Sequence, residues 1–495
     1  MRLIRRVDTV KKPDETIFSE LDENPVKCAP VKITLKDDSQ PYSLQTARRV
    51  PIPLLQKVKD ELLKMEETGF IEQIQEPTEW CAGIVIVPKK DGGVRICTDY
   101  KKLNATIKRE KYVLPTVEDI LHKLKGSTIF TKLDATSGFW QIPLDDESAK
   151  LTTFISPFGR YFYRRLPQGI TSAPEIFQRT VEEIIAGEEH AVCFFDDILV
   201  FSGNEEVHEK HLKNTMEKLN SAGIKLNKEK CQCRQQEIDF WGFVINKDGV
   251  KADPRKTEAI LEMLDPADVA ELRRFLGMVN YLGRYLQNLS SVLQPVTELL
   301  EKDRAWTWGP PQIRAVAKVK EMLTSAPTLA YFDSDKATTV SADASSYGLG
   351  AVLLQEHPDG LRPVAFASRT RTKSERKYAQ IEKECLASTW ACEKFDRYLV
   401  GLNTFSVVTD HKPLVPLINT KDLSETPLRC QRMLLRLMRF NVKAKYVPGK
   451  DMLVADTLSR SPVSTTESSS HEEIQAHVSD VQSSRQVSDA GLANT

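Results

Sequence analysis

The stretch Phe194-Phe195-Asp196-Asp197-Ile198-Leu199-Val200-Phe201 places two adjacent acids between two apolar runs with strand-forming side chains. This pattern predicts a hairpin that carries both acids at its tip. Two adjacent carboxylates repel each other and are costly to remove from water, so they favour a place where a divalent cation or another positive group offsets them. A solvated Asp-Asp turn is the simpler alternative, and these eight residues alone leave it open.

A third acid, Asp134, ends another strand-like run, Thr128–Leu133, and the segment Ser137-Gly138-Phe139 follows it. Phosphoryl transfer with two metal ions needs such a set of oxygen ligands, because one ion activates the attacking hydroxyl and the other holds the triphosphate. In this interpretation Asp134 and Asp196 bridge two ions, and Asp197 completes the charge. Mg²⁺ suits these hard oxygen ligands, and Mn²⁺ is a substitute that they also accept.

The chain around these acids alternates strand and helix signals. Apolar spacing, turn residues and capping residues define the first group of elements. They are a helix from Leu54 to Gly69, a hairpin of Ala82–Pro88 and Val94–Thr98, and a helix that starts at Thr171 or Ser172, has Pro174 in its first turn and ends near Gly187. These elements predict an α+β domain around the acids.

The C-terminal half predicts a helical, strand-poor segment followed by a second α/β unit. The helical pattern runs from Asp253 to about Leu300. Strands are expected at Thr338–Ala342, Gly350–Leu354, Pro363–Ser368 and Phe405–Thr409, with a helix near Ile381–Leu399. Four acids stand at the ends of predicted elements of this unit: Asp343, Glu384, Asp410 and Asp456. Each alone reads equally well as a cap or a surface charge.

Composition sets wider limits. The chain has 495 residues, with 69 basic and 69 acidic side chains, so net charge does not decide for or against a nucleic-acid partner. The apolar runs are of strand length, so no membrane span is expected. Nine cysteines, an odd number, do not predict a disulfide framework. His208 and His211 fall on a charged helical pattern, which predicts a solvated face.

From Pro41 to Arg460 the sequence resembles the reverse transcriptases of gypsy-type LTR retrotransposons and, more distantly, those of retroviruses. The resemblance implies a right-hand polymerase with fingers, palm and thumb, followed by an RNase H-like α/β domain. The implied boundaries are an N-terminal extension at 1–40, fingers and palm at 41–250, a helical thumb or connecting region at 251–325, the RNase H-like domain at 326–460 and a disordered, acidic, Ser-rich tail at 461–495. Its implied reactions are RNA- and DNA-directed DNA synthesis and cleavage of the RNA strand of hybrids.

The resemblance also assigns nucleotide contacts in the polymerase. The segment from Lys89 to Tyr100 resembles the fingers element, in which Lys89 and Arg95 would hold the incoming triphosphate. Arg offers a planar fork to phosphate oxygens and Lys a point charge, so these residue types fit the role. Ala135 would contact the nucleotide, Phe139 would lie under the incoming sugar, and Gln168 would lie beside the nascent base pair. Phe139 and Phe194 depart from the family, which usually has Tyr at both positions.

Further resemblances concern the nucleic acid and the nuclease. Phe240, Trp241 and Gly242 resemble the hairpin that holds the primer end, while Arg273, Arg274 and Arg284 resemble the thumb that follows the duplex. Asp343-Ala344-Ser345, Glu384-Cys385-Leu386-Ala387, Thr409-Asp410-His411-Lys412 and Ala455-Asp456 resemble the retroelement RNase H, again with two Mg²⁺ or Mn²⁺ ions. For most of the individual contact residues, ordinary packing is the alternative.

The implied partners are an RNA template, a DNA primer, the RNA–DNA hybrid and deoxynucleoside triphosphates, together with a homodimer mate or other polyprotein parts such as protease, integrase and capsid. The implied location is a cytoplasmic virus-like particle, with a nuclear stage. Two alternatives remain at this point. One is an inactive or domesticated element that only binds nucleic acid. The other is an unrelated polymerase with an accessory nuclease.

Overall fold

The computed structural model describes residues 15–89, 92–109, 112–302, 304–420 and 426–448. Its strands, numbered along the chain, are β1 (Ile71–Gln73), β2 (Ala82–Pro88), β3 (Val94–Thr98), β4 (Ile129–Asp134), β5 (Phe154–Ser156), β6 (Gly159–Tyr163), β7 (Ala191–Phe194), β8 (Asp197–Ser202), β9 (Gln232–Gln235), β10 (Glu237–Phe240), β11 (Phe243–Asn246), β12 (Gly249–Ala252), β13 (Thr338–Ala344), β14 (Gly348–His357), β15 (Gly360–Thr370), β16 (Phe405–Thr409) and β17 (Val442–Tyr446).

The α-helices, numbered in the same way, are α1 (Leu55–Glu67), α2 (Lys101–Thr106), α3 (Val117–Lys123), α4 (Asp146–Leu151), α5 (Ala173–Ile184), α6 (Glu205–Ala222), α7 (Pro254–Leu261), α8 (Val269–Tyr281), α9 (Leu289–Val292), α10 (Gln294–Thr297), α11 (Pro310–Thr324), α12 (Gln380–Lys394), α13 (Asp396–Leu399), α14 (Leu414–Thr420) and α15 (Leu428–Leu437). Both hairpins, the early helices and the four C-terminal strands predicted from the sequence are confirmed, with ends that differ by a few residues.

The strands of the described residues form four sheets. Their orders are β1-β6-β5-β2-β3, β7-β8-β4-β9, β10-β11-β12 and β15-β14-β13-β16-β17. The last sheet is mixed, because β13 pairs antiparallel with β14 but parallel with β16, and β16 pairs parallel with β17. The predicted fold class, α+β with a mixed α/β unit at the C-terminal end, is therefore confirmed.

Two helices show why the local sequence folds as it does. In α1, Val58, Leu62 and Met65 share one buried face, and Gly69 follows with φ +67°, a conformation that costs glycine little. In α5, Pro174 occupies the first turn, where its missing N–H has no intrahelical partner to lose. Phe177 is buried on α5 against the first hydrophobic core.

The predicted solvated face of α6 is wrong for both histidines. His208 is completely buried, and its Nε2 lies 2.7 Å from the Thr131 hydroxyl on β4. His211 pairs with Glu188 and has a side chain that is 19% exposed. The inward face of α6 packs on the β7-β8-β4-β9 sheet. The charged residues that surround the histidines in the sequence make this buried face of the helix hard to recognise.

The helical segment is packed directly on the C-terminal sheet. Asn288 has φ +51°, and a Cβ added at Gly350 of β14 would lie 1.6 Å from its Oδ1. The Ser291 and Ser345 hydroxyls are 2.7 Å apart, and the Ser290 amide donates to the Ser368 hydroxyl at 3.1 Å. The sheet therefore takes part of its cover from residues that precede it by about fifty positions.

Candidate active sites

The first candidate site is built by two antiparallel strand pairs. In the β7–β8 hairpin Phe194 pairs with Asp197, which leaves Phe195 and Asp196 in the turn. On the other side of β8, Asp134 pairs with the same Asp197. The register therefore brings Asp134, Asp196 and Asp197 to one end of the sheet, although 61 residues separate Asp134 from the hairpin tip.

The turn between β7 and β8 is held in an unusual backbone conformation. Phe195 has φ +54°, which is unfavourable for an aromatic residue. Its N–H donates to Gln178 Oε1 at 2.8 Å, and Gln178 Nε2 donates to the Cys193 carbonyl oxygen at 2.7 Å. Gln178 is completely buried on α5. A helix side chain therefore holds the turn that carries Asp196. This role of Gln178 was not predicted from the sequence.

Burial and mutual repulsion disturb the acids of this site. Burial raises the pKa of Asp196 to about 6, and the carboxylates of Asp197 and Asp134 add to the rise against Lys230. Burial also raises the pKa of Asp134, helped by Asp197 and opposed by Lys230 and Lys132. Both shifts mark a carboxylate cluster whose negative charge is incompletely offset.

Two lysines that the sequence analysis did not identify lie at the acids. Lys132 Nζ is 2.8 Å from Asp197 Oδ2, and both side chains are largely shielded. Lys230 acts on Asp134 and Asp196 through its charge. Across the described residues, no three His, Cys, Asp or Glu side chains already converge as a ready-made metal site. The donor set, hard carboxylate oxygens with excess negative charge, nevertheless fits Mg²⁺ or Mn²⁺.

The residues assigned to the sugar lie next to these acids in the chain. Ala135 is buried and forms an isolated antiparallel bridge with Leu226. Phe139 is half-buried and meets the Phe177 ring edge-on, with centroids 5.8 Å apart. Phe139 therefore has a packing contact, whatever its role towards a nucleotide.

The residues assigned to the triphosphate and the base lie on the first sheet and the loop beside it. Arg95 is exposed on β3, and Lys89 Nζ lies 3.6 Å from Glu61 Oε1 on α1. Gln168 is exposed in the loop before α5. Asn104 clamps that loop, because its Nδ2 donates to the Gly169 carbonyl oxygen at 2.7 Å and its Oδ1 accepts from the Thr171 N–H at 2.9 Å.

The hairpin predicted to hold a primer touches the turn that carries Asp196. Trp241 lies between β10 and β11 with φ +51°, and its side chain is 43% exposed. Its ring stacks on Phe195 at 5.1 Å and 9°, and it meets Phe194 edge-on at 4.5 Å. Phe240 is buried in the hairpin. Gly242 has φ +77°, and a Cβ there would lie 2.0 Å from Lys256 Nζ.

The three arginines assigned to the thumb have different surroundings. Arg273 and Arg274 are exposed on α8, where a duplex could reach them. Arg284 instead pairs with Glu118 Oε1 at 3.2 Å and lies over the Phe243 ring. The side chain of Arg284 is only 19% exposed. Arg284 therefore has a structural role, which the sequence did not predict.

The second candidate site lies at the C-terminal sheet. Asp343 ends β13, and Asp410 follows β16, which runs parallel to β13 in a register that pairs Ser341 with Val408. Carboxyl ends of neighbouring parallel strands meet at one edge, so both acids share that edge. Glu384 is buried on α12 and interacts electrostatically with both. Asp456, the fourth acid of this set, lies outside the described residues.

The electrostatics of this second cluster resemble those of the first. Burial raises the pKa of Glu384 to about 7, and Asp343 and Asp410 add to the rise. Gln380 Nε2 donates to Glu384 Oε1 at 2.8 Å, and this hydrogen bond opposes the rise in the pKa of Glu384. Arg371, which the sequence analysis did not identify, is a buried cation that favours the charged forms of Asp343 and Glu384.

Two protein-family models match separate parts of the chain. Residues 87–245 match the family "Reverse transcriptase (RNA-dependent DNA polymerase)". Residues 308–407 match the family "RNase H-like domain found in reverse transcriptase". Asp134, Asp196 and Asp197 lie in the first range, and Asp343 and Glu384 in the second. Both families depend on divalent metal ions.

Curated relatives include the Transposon Tf2-3 and Tf2-7 polyproteins of Schizosaccharomyces pombe, which are 36% and 35% identical to the chain over 419 residues. The matches cover 83% of this chain and 31% of each relative. The chain therefore spans about a third of the length of these curated relatives. Their similarity is consistent with the gypsy-type resemblance.

Among solved structures, the foamy viral protease-reverse transcriptase in complex with dsDNA has a TM-score of 0.77 at 21% identity, over 88% of this chain and 91% of that one. The same protein in complex with an RNA/DNA hybrid has a TM-score of 0.70 at 20% identity, over 92% and 61%. These likenesses support a shared polymerase fold. The chain thus combines a reverse transcriptase domain with the RNase H-like domain found in reverse transcriptases, and its sequence is similar to transposon polyproteins.

Proposed function

We propose that the chain is an RNA- and DNA-directed DNA polymerase that also cleaves the RNA strand of RNA–DNA hybrids, and that it serves the replication of a gypsy-type LTR retrotransposon. The observation that carries the proposal is the convergence of Asp134, Asp196 and Asp197 at one end of a sheet, inside the range that matches reverse transcriptases. The second acid cluster, Asp343, Glu384 and Asp410, supports the nuclease half.

In the polymerase, Asp134 and Asp196 would hold Mg²⁺ or Mn²⁺, two ions in all, with Asp197 beside them. Such ions supply charge stabilisation and a more acidic primer hydroxyl when they are bound. Lys132 holds the Asp197 carboxylate at 2.8 Å and so fixes its direction. Gln178 keeps the turn of Phe195 and Asp196 rigid, which preserves the spacing of the acids.

In the nuclease, Asp343, Glu384, Asp410 and Asp456 would hold a second pair of divalent ions. Glu384 would also orient the attacking water, and Gln380 holds its carboxylate from one side. Arg371 lies close enough to favour the ionised forms of Glu384 and Asp343. Burial and the neighbouring acids raise the pKa of Glu384 to about 7, and divalent ions bound there would offset this cost and favour its ionised form.

The proposed substrates are deoxynucleoside triphosphates, an RNA or DNA template with a DNA primer, and RNA–DNA hybrid. Arg95 and Gln168 are exposed, as contacts to a nucleotide require, and Lys89 is partly so. Trp241 offers an exposed ring beside the catalytic turn for the primer end. Protease, integrase and capsid are proposed as other parts of the polyprotein, and a homodimer as an alternative assembly.

An inactive element that only binds nucleic acid is the main alternative. Such a protein has no need for carboxylates whose burial, together with their mutual repulsion, raises the pKa of Asp196 to about 6 and that of Glu384 to about 7. Retention of both clusters favours the enzyme.

The proposal is tested with Asp197→Asn in primer extension and hybrid cleavage by the same preparation. We expect primer extension to fall by at least about two orders of magnitude, because the variant loses a carboxylate charge beside the metal ions that stabilise the transition state. Hybrid cleavage should be retained. Loss of both activities in a folded variant would contradict two separate sites.

Asp343→Asn and Glu384→Gln are the matched converse. They should stop RNA digestion and leave single-nucleotide addition unchanged, since Asp343 lies on a different sheet from the polymerase acids and Glu384 on helix α12. Magnesium-dependent cleavage that survives in Asp343→Asn would show that the nuclease ligands are assigned wrongly.

A further inference from the structure

The reverse transcriptase and RNase H-like domains touch at the start of α3. Thr116 and Asp119 form a capping box there: the Thr116 N–H donates to Asp119 Oδ2 at 2.8 Å, and the Asp119 N–H to Thr116 Oγ1 at 3.4 Å. Arg397 of α13 reaches into this box from the other domain. Its Nη1 donates to Thr116 Oγ1 at 2.7 Å, and its Nη2 forms an ion pair with Asp119.

Other contacts continue this interface on both sides of Arg397. Lys125 Nζ, just after α3, lies 2.6 Å from Asp333 Oδ1 and 3.4 Å from Asp335 Oδ2. Across the interface, the ring of His122 on α3 lies 6.5 Å from that of Phe332, on which Tyr398 packs from within the RNase H-like domain at 5.1 Å. The contact thus has an aromatic centre with ion pairs around it, the arrangement of a specific protein interface.

A second contact joins the domains elsewhere. The N–H of Val250 donates to the Leu329 carbonyl oxygen at 2.8 Å, and the N–H of Leu329 donates back at 2.9 Å. The Tyr331 hydroxyl, which is buried, donates to the Asn246 carbonyl oxygen at 2.8 Å. Together with the packing of Asn288 and Ser291 on the C-terminal sheet, this contact can act as a pivot. The contact at Arg397 then opposes rotation about it.

A hybrid that occupies the polymerase site and the nuclease site at once would connect them as a stiff double helix. Double helices of a few tens of base pairs are much shorter than the persistence length of about 150 base pairs measured for DNA. The separation of the polymerase acids from the nuclease acids therefore becomes a number of base pairs between the primer end and the cut. Any rocking of one domain on the other would spread that number.

We propose that Arg397 is a positioning residue which, by holding the RNase H-like domain on the capping box of α3, sets where RNA is cut relative to the primer end. The inference rests on the proposed function and adds a spatial rule to it. Arg397 touches neither reacting group. Its effect falls on the position of the cut rather than on the chemistry of cleavage.

Arg397→Glu tests this by placing a carboxylate against Asp119. The matched control is Arg436→Glu: Arg436 is 51% exposed, close to the 52% of Arg397, but pairs with Glu393 inside the nuclease unit. Both full-length variants extend an end-labelled primer on RNA that stops at a fixed base, and the RNA cuts are mapped to single nucleotides.

We expect the share of cuts at the principal position to fall at least about two-fold in Arg397→Glu and to stay unchanged in Arg436→Glu, because an exposed ion pair shifts a docking equilibrium a few-fold. Extension and total cleavage of a hybrid without a primer end should match the unmodified chain. An unchanged cut pattern in Arg397→Glu, or equal spreading in both variants, would overturn the inference.

If Arg397→Glu lowers the melting temperature or total cleavage, Arg397→Gln decides, since it removes the charge but retains a donor for Thr116. Spreading of its cuts supports the inference, and a single sharp cut position overturns it. The proposed function is judged separately. An unmodified chain that does not extend primers or cleave hybrids contradicts that function, whereas an active chain with indifferent Arg397 variants contradicts only the positioning role.

Discussion

Phe139 occupies the start of the short helical turn that follows Asp134. Its ring meets Phe177 edge-on, and Gly138 before it is so close to Phe177 that a Cβ there would lie 2.7 Å from a ring atom. The ring nevertheless remains partly exposed. Packing and contact with a nucleotide sugar are therefore compatible at this position.

We predict that Phe139→Val weakens discrimination against ribonucleotides. A ring at this position fills the space of a ribose 2′-hydroxyl and offers it no hydrogen-bond partner, which costs about 1 to 3 kcal/mol for an unpaired hydroxyl. Relative incorporation of ribonucleotides on one primer should rise about ten-fold. Phe158→Val, a half-buried Phe packed on the same core, is the control. Equal loss of both substrates with a lower melting temperature would make Phe139 only a packing residue.

Asp196, Asp197 and Asp134 could be predicted from the sequence because carboxylates stand out beside apolar runs, whereas the acids of the second site were assigned through the family resemblance. Their partners could not be predicted. Lys132, Lys230 and Gln178 are ordinary polar residues in the sequence, and only strand pairing and α5 bring them to the turn. Arg371 was not predicted for the same reason, because a single arginine in a sequence is usually a surface charge and only the fold buries this one.

At the scale of elements, α6 carries a buried titratable group. His208 Nε2 contacts the Thr131 hydroxyl, and its Nδ1 has no hydrogen-bond partner among the described residues. Burial lowers the pKa of His208 to about 4 from an ordinary value of 6.5. The folded chain therefore keeps this ring neutral, whereas the unfolded chain protonates it below pH 6.5.

We predict that α6 makes the fold acid-sensitive. Above pH 6.5 both states are neutral and His208 costs nothing, but between pH 6.5 and about 4 the unfolded state binds the extra proton, so stability falls by up to about 1.4 kcal/mol per pH unit. His208→Gln should flatten this part of the curve in urea unfolding at several pH values. His122→Gln, on an exposed site, should not. Parallel curves for all three proteins would contradict the assignment.

Strand β12 offers a second element-scale test. Gly249 has φ +137°, and a Cβ there would lie 1.9 Å from the Leu329 carbonyl oxygen. Gly360 has φ +119° but nothing within 4 Å of its Cβ position. We predict that Gly249→Ala lowers the free energy of unfolding by about 3 kcal/mol or more and Gly360→Ala by about 1 to 2, because only the first adds a clash to strain. Equal losses in denaturant titrations would show that Leu329 yields without cost.

A regular apolar pattern made some elements predictable, but not all of them. The spacing of Val58, Leu62 and Met65 is sufficient to indicate α1. By contrast, α15 was not predicted, although Cys430, Met433, Leu434 and Leu437 are buried at helical spacing. Arg429 and Arg436 pair with Glu382 and Glu393 of α12, so the partner helix stabilises a face that looks solvated in isolation.

At the scale of the whole molecule, the Ser-rich, acidic segment 461–495 lies outside the described residues. We predict that a chain ending at Arg460 retains primer extension and hybrid cleavage, because the removed segment has too few apolar residues to build a core and Asp456 is kept. Both activities and the melting temperature are compared with the full chain. A drop of several degrees on truncation would show that the segment contributes to the fold.

The order of the units was readable from the sequence, since acids and turn residues recur in separate α/β patterns. The contacts between them were not. Arg397 and Asp119 are 278 positions apart, and Tyr331 and Asn246 are 85 apart. Such pairs have no local sequence pattern, and they follow only from the packing of complete units.

The packing of Asn288 on Gly350 has a consequence for how such chains can recombine. A crossover near residue 308, where the RNase H-like match begins, would join one parent's Asn288 and Ser291 to another parent's β14 and the Ser345 loop. Any side chain larger than glycine at the incoming position 350 would strike the resident Asn288. Viable exchanges of the RNase H-like domain should therefore have breakpoints upstream of about residue 283. Asn288 and Ser291 are then inherited together with the sheet on which they pack.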